Sequence, residues 1–201
     1  MTTRLIIARH GNTFSEGQTP TRVGARTDLP LVESGENQAL KLGHHLLAAR
    51  LVPHHIFTST LKRTIDTARL ASLAMGYEGT REPSPIFDEV DYGAQENLPE
   101  PDVIAQLGTD VLAQWDKKGV MPEGWLPRPA TIITQWQEFL TRCVSDHANQ
   151  TVLVVTSNGI ARFALALIPH GEDYSLKLAT GAYGILEYDG EWSIAGWNIR
   201  P

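Results

Sequence analysis

The stretch Leu5-Ile6-Ile7-Ala8-Arg9-His10-Gly11 decides how this sequence is interpreted. Its first four residues are apolar and typical of a buried strand, so the last three would lie on the loop at the strand's carboxyl end. Ligands of open α/β sheets bind at that end. The Arg9 guanidinium can fork onto a phosphate, the His10 imidazole can attack phosphorus, and Gly11 lets a backbone N–H approach an anion. The stretch therefore predicts a phosphoryl-transfer site, although an isolated Arg-His-Gly is more often a solvated turn.

The composition indicates one globular domain. The chain has 201 residues, of which 42% are hydrophobic and 20% are charged, and its formal net charge is −6. These values predict a single domain over residues 1–201. The acidic balance argues against nucleic acid or a membrane surface as a partner, and no apolar run approaches the roughly 20 residues that span a bilayer. The single cysteine, Cys143, permits no internal disulfide and suits a small buried side chain. With no signal-peptide pattern at the N-terminus, we expect a cytoplasmic protein.

Apolar periodicity predicts strands that alternate with helices. Helical spacing extends over residues 34–50, 59–76, 102–118, 130–147 and 158–168, with Ser34 and Ser59 as candidate N-caps. Strands are predicted at 5–8, 56–57 and 152–156, and Asp189-Gly190 predicts a closing hairpin. We therefore expect an α/β fold: a three-layer α/β/α sandwich with a mainly parallel, mixed sheet. Residues 98–150 are interpreted as an inserted helical lobe with Trp115, Trp125 and Trp136 in its core.

Three further blocks follow the first stretch in a fixed order. They are residues 59–68 (STLKRTIDTA), 87–96 (FDEVDYGAQE) and 152–159 (VLVVTSNG). Together with the Arg-His-Gly stretch they resemble the histidine phosphatase superfamily, also called the phosphoglycerate-mutase-like family. The resemblance extends from about residue 4 to about residue 162, and the order of the blocks is more specific than any one block.

The resemblance implies a role for the polar residues of these blocks. His10 is the expected nucleophile, and Glu89 is the expected general acid that protonates the leaving oxygen. Phosphate binding is expected from Arg9, Gly11, Asn12, Arg63, Ser157 and Asn158. Taken alone, Arg63 is more typical of a surface arginine, and Asn12 is nearly as typical of an ordinary turn residue. No metal or other cofactor is expected, because the histidine pairs 44–45 and 54–55 lack a carboxylate or cysteine partner at useful spacing.

Ser157 departs from the family pattern, which has a second histidine at this position. A serine hydroxyl donates one neutral hydrogen bond, and the loss of one stabilising donor costs on the order of 10²–10³ in rate. Asn158 and the N-terminus of the following helix can supply part of that stabilisation.

Three functions remain open for this protein, each with a small phosphorylated molecule as substrate or ligand. Hydrolysis of a phosphate monoester through phospho-His10 is favoured. A phospho-ligand-binding protein with little or no turnover is the alternative. A phosphoglycerate-mutase-type phosphotransferase is less favoured, because a mutase needs additional cations over the site and the lobe carries only four, Lys117, Lys118, Arg128 and Arg142.

Overall fold

One mixed sheet of six strands organises residues 2–201, the part of the chain that the computed structural model describes. The strands are β1 (Thr3–Arg9), β2 (His55–Thr58), β3 (Arg81–Pro83), β4 (Thr151–Thr156), β5 (Tyr183–Tyr188) and β6 (Trp192–Ile199). Their order across the sheet is β3-β2-β4-β1-β5-β6. Neighbouring strands from β3 to β1 pair in parallel, and β5 is antiparallel to both of its neighbours. The predicted mixed, mainly parallel sheet and its closing hairpin are confirmed.

Helices cover both faces of this sheet. They are α1 (Glu33–Ala48), α2 (Lys62–Met75), α3 (Glu100–Leu107), α4 (Thr109–Lys118), α5 (Pro129–Asp146) and α6 (Asn158–Ala161). Leu42 of α1 and Ala71 of α2 pack in one apolar cluster with Ile6 of β1. Trp136 of α5 packs in a second cluster with Ile7 of the same strand. Because successive strand residues point to opposite faces, the two clusters lie on opposite sides of the sheet, and the three-layer arrangement is confirmed.

The helix predicted over 102–118 is two helices. It divides at Gly108, whose φ of +83° and ψ of 153° belong to no helical region. The helix predicted after β4 is also shorter than expected. It is α-helical only over Asn158–Ala161 and continues as a 3₁₀ helix over Arg162–Leu167.

Neither serine proposed as an N-cap has that role. Helix α1 begins at Glu33, one residue before Ser34, whose hydroxyl accepts a hydrogen bond from the Asn12 amide (3.2 Å) instead. Helix α2 begins at Lys62, and the Ser59 hydroxyl accepts the Leu61 N–H (3.2 Å) in the turn before it. Both side chains therefore organise the loops that follow strands.

The core of the region 98–150 is aromatic, as expected. Trp115, Trp125 and Trp136 have 2%, 0% and 2% of their surface exposed, and Cys143 is fully buried. All four belong to the cluster that includes Ile7 of the sheet. No helix among the described residues combines the length and apolar character needed to cross a membrane.

Candidate active site

The loop that carries His10 lies beside the end of β4. Arg9 of β1 is in register with Thr156 of β4, and the His10 N–H donates to the Thr156 carbonyl oxygen (3.0 Å). Because the two strands are parallel and adjacent, both loops leave the sheet at the same edge. Residues 9–12 and 157–159, which are distant in sequence, therefore lie side by side.

His10 is held as a neutral imidazole with one nitrogen unused. Its Nδ1 lies 2.7 Å from the carbonyl oxygen of Gly11. A carbonyl only accepts, so Nδ1 carries the proton and Nε2 carries the lone pair. Burial, with the nearby cations of Arg63 and Arg9, holds the pKa of His10 well below its ordinary value. Within residues 2–201 no protein group bonds to Nε2, which is therefore available as a nucleophile.

Gly11 is required by the packing of its loop. A Cβ there would collide with the backbone of Gly35, near the start of α1. The Gly11 N–H donates to the Thr67 hydroxyl (3.1 Å), and Thr67 in turn donates to the Arg63 carbonyl oxygen (2.6 Å). In this structure Gly11 therefore connects the His10 loop to α2 and does not offer its N–H to a ligand.

The two predicted arginines differ in their position. Arg9 lines a cavity of about 700 Å³. One of its terminal nitrogens donates to the Leu178 carbonyl oxygen (3.0 Å). Arg63 is fully buried and does not line that cavity, and its two terminal nitrogens donate to the carbonyl oxygens of Thr27 (2.9 Å) and Gly24 (3.1 Å). Arg63 therefore acts on the site as a fixed charge beneath it, with only its buried Nε unpaired.

Glu89 lines the same cavity as His10 and is only 6% exposed. Its Oε1 accepts the N–H of Val90 (2.8 Å), and its Oε2 accepts the N–H of Gly159 (3.2 Å). A Cβ on Gly159 would collide with Oε1, so glycine is what permits this approach. Gly159 lies at the helix N-terminus that was expected to stabilise the phosphoryl group, and its N–H is thus used to hold the carboxylate.

Asn12, Ser157 and Asn158 complete the predicted set. The Asn12 amide bonds to the hydroxyls of Ser34 and Thr180 at the cavity rim. The side-chain oxygen Oδ1 of Asn158 accepts the N–H of Leu178 (2.7 Å), so the side-chain nitrogen Nδ2 is the atom left for a ligand. Ser157 is fully buried, does not line the cavity, and its hydroxyl has no hydrogen-bond partner among the described residues.

The sequence reasoning missed Arg162, which also lines the cavity. It is a buried cation whose Nε donates to the Asn158 carbonyl oxygen (3.2 Å), one helical turn earlier. A usable signal was present: Arg162 is the only charged residue between Gly159 and Pro169. Tyr92, which lies within the block 87–96, also lines the cavity and was missed. Burial raises the pKa of its hydroxyl strongly.

Metal ligation has no support in the described residues, which contain no group of three or more histidine, cysteine, aspartate or glutamate side chains placed to hold an ion. The site combines a neutral histidine, a buried carboxylate and several fixed cations around one cavity.

The fold places this set of groups in one cavity where parallel strands of an α/β sheet end. The chain belongs to the histidine phosphatase superfamily, branch 1, whose family model matches residues 5–200. The resemblance seen in the sequence is thereby confirmed.

Relatives in this superfamily have mutase and phosphatase names. A probable phosphoglycerate mutase, GpmB, of Yersinia enterocolitica is 29% identical over 213 residues, which cover 98% of this chain and 91% of that protein. An acid phosphatase of Mycobacterium tuberculosis is 33% identical over 100 residues, 50% of this chain and 46% of that protein. A solved mycobacterial glucosyl-3-phosphoglycerate phosphatase shares the fold, with a TM-score of 0.80, 20% identity and 98% coverage of both chains.

Proposed function

We propose that this protein hydrolyses small phosphate monoesters through a phosphohistidine formed on His10. The observation that carries the proposal is the state of His10: neutral, with Nε2 unbonded, in one cavity with Glu89 and Arg9. A neutral imidazole is the nucleophilic form, and depression of its pKa keeps it in that form at neutral pH. The superfamily membership supports an enzyme of phosphatase or mutase type.

In the first step, Nε2 of His10 attacks phosphorus and the bond to the leaving oxygen breaks. Glu89, entering the step as a carboxylic acid, gives its proton to that oxygen, and the alcohol departs. In the second step a water molecule attacks the phosphohistidine, and the Glu89 carboxylate takes the proton released from it. The N–P bond breaks, inorganic phosphate leaves, and His10 and Glu89 return to their starting states.

The cations carry the electrostatic part of this mechanism. Charge is spread over the oxygens of the transferring group, so positioning and fixed positive charge supply most of the catalysis. Arg9 and the amide groups of Asn12 and Asn158 are proposed as direct ligands, since all three line the cavity. Gly11, Arg63 and Ser157 are proposed to shape this phosphate site from behind.

Hydrolysis is favoured over mutase chemistry by the position of the lobe's basic residues. None of Lys117, Lys118, Arg128 and Arg142 lines the cavity. Arg128 donates to the Pro122 carbonyl oxygen (2.8 Å), and Nε of Arg142 lies 3.9 Å from Oδ2 of Asp146. These four basic residues are therefore not placed in the cavity, where a second phosphate would have to be retained. A cytoplasmic location, which suits the single buried Cys143, is part of the same proposal.

Trapping the intermediate tests the proposal. The parent is mixed with ³²P-labelled phenyl phosphate and quenched in alkali. We expect labelled protein with an acid-labile phosphate, and turnover lowered by at least about 10³-fold in His10→Asn, since the nucleophile is lost. His44→Asn, at an exposed position of α1, is the matched control and should keep both label and rate. Turnover by His10→Asn at the parent rate would overturn the assignment of the nucleophile.

A phospho-ligand-binding protein is the second candidate, and Ser157 is the observation that favours it. Its buried hydroxyl is neutral and unpartnered where the family pattern has a histidine. On this alternative, calorimetry would detect binding of inorganic phosphate that weakens in Arg9→Met, while phenyl phosphate would remain unhydrolysed and His10 unlabelled.

A further inference from the structure

Arg162 is a rigidly held cation in the wall of the active-site cavity. It is 5% exposed, and its guanidinium carbon lies 4.2 Å from the ring centroid of Trp115. Nη1 donates to the Trp115 carbonyl oxygen (2.7 Å) and Nε donates to that of Asn158 (3.2 Å). Nη2 has no hydrogen-bond partner anywhere in residues 2–201. Three contacts thus fix the group, while Nη2 remains available to a ligand.

Arg162 and Glu89 are held by adjacent residues of the segment that follows β4. Arg162 donates to the Asn158 carbonyl oxygen, and Glu89 accepts the N–H of Gly159 (3.2 Å in each case). Both side chains line the cavity. Since Glu89 is the proposed proton donor to the leaving oxygen, Arg162 is positioned to contact the leaving alcohol.

Asp116 lies beside Arg162 in this part of the cavity wall. It follows Trp115 on α4, lines the cavity, is exposed to solvent and makes no ion pair within the described residues. Glu16 is a second carboxylate in the lining that forms no ion pair with residues 2–201. Arg22, the other cation on this side, is occupied by both carboxylate oxygens of Glu100 at 2.6 and 2.7 Å. Among residues 2–201, Arg162 is thus the cation of this wall with a nitrogen left for a ligand, and Asp116 and Glu16 are carboxylates without an ion pair.

Such a wall discriminates between kinds of leaving group. A leaving group that bears a second phosphate or a carboxylate would face Asp116 and Glu16, and like charges repel. A hydroxyl group both donates and accepts, so neighbouring hydroxyls can donate to Asp116 and accept from Arg162. The lining adds the hydroxyls of Thr13, Ser15 and Thr21.

We propose that Arg162 and Asp116 form the leaving-group subsite and select phosphate monoesters of uncharged, polyhydroxy alcohols. The inference rests on the proposed hydrolase function and assigns its substrate class. Hydrogen bonds to charged groups contribute about 1.5–3 kcal/mol each, which corresponds to roughly 10–150-fold in kcat/KM.

The test compares sorbitol 6-phosphate, 3-phosphoglycerate and phenyl phosphate on the parent and on Asp116→Asn. We expect the parent to prefer the sorbitol ester to phosphoglycerate. Asp116→Asn should lower the sorbitol-to-phenyl ratio of kcat/KM by about tenfold or more, and raise the relative rate with phosphoglycerate. Asp110→Asn, on the exposed first turn of α4 and outside the cavity, is the matched control and should keep all three rates.

Equal losses on sorbitol and phenyl esters in Asp116→Asn, or a parent preference for phosphoglycerate, would overturn the subsite. Failure of the hydrolase proposal is distinguishable, because then none of the esters is turned over and His10 is not labelled. In that case calorimetry decides. Asp116→Asn must weaken the binding of sorbitol 6-phosphate more than that of inorganic phosphate, and equal weakening refutes the subsite.

Discussion

Replacing Gly159 by alanine should disable Glu89 while leaving the carboxyl group chemically intact. A Cβ at this position would overlap Oε1 of Glu89 and would lie 3.2 Å from Val90 Cγ2. The overlapped atom is the end of a flexible side chain, so the carboxylate moves rather than the backbone. It must retreat by more than about 1 Å to restore van der Waals separation. The bond from the Gly159 N–H to Oε2 (3.2 Å) is then lost.

The expected magnitude follows from that displacement. General acid catalysis contributes about 10²–10⁴-fold, and a misplacement of about 1 Å costs on the order of 10²-fold. We therefore expect kcat on an alkyl phosphate to fall about 10²-fold. With p-nitrophenyl phosphate, whose leaving group needs little protonation, the loss should stay below about tenfold. The lost hydrogen bond, about 0.5–1.5 kcal/mol, is partly offset by the stiffer unfolded chain, about 0.4–1 kcal/mol, so the fold should persist.

Steady-state kinetics on both substrates, with Glu89→Gln for reference, are the assay. Glu89→Gln should show the same dependence on leaving group, because it removes the transferable proton. The double variant Gly159→Ala/Glu89→Gln should be no slower than Glu89→Gln alone, since both changes act on one group. Equal losses on the alkyl and aryl esters, or additive losses in the double variant, would refute the assignment of Glu89 as the acid.

Two further predictions concern Ser157 and His10. Ser157→His should raise turnover of an aryl phosphate by up to the order of 10²-fold by adding a stabilising donor. Ser157→Ala should leave the melting temperature unchanged or higher, because the buried hydroxyl has no partner to lose. A parent that is already fast, with no gain in turnover in Ser157→His, would contradict this account of Ser157. For His10, the folded pKa lies below the unfolded value of about 6.5. The contribution of neutral His10 to the free energy of unfolding is therefore complete above that pH. It is lost, by up to about 1.4 kcal/mol per pH unit, as the pH falls towards the folded pKa. Urea unfolding at pH 7 and pH 5 should thus show a smaller loss for His10→Asn than for the parent, and equal losses would show that His10 is not buried as a neutral base.

Much of the fold was predictable because local pattern and tertiary environment agree in the central strands. The apolar runs at 5–8 and 152–155 are unbroken because β1 and β4 are buried on both faces, and a parallel central strand requires that composition. The hairpin around Asp189-Gly190 is a local turn and was likewise predictable. The short edge strand β3 (Arg81–Pro83) was missed, since its three residues are all exposed and carry no periodic signal.

The sequence by itself determined the family and the types of residue at the candidate site. The reason is that the order of the four blocks along the chain can be recognised without knowing how far apart they lie in space. What only the tertiary structure decided is how each donor is used. The N–H of Gly159 holds Glu89, and Arg63 is bound by two carbonyl oxygens beneath the cavity. Arg162, in an apolar stretch, becomes part of the cavity wall. The physical reason is that a hydrogen bond depends on which groups meet, and these partners lie 36 to 70 residues apart in the chain.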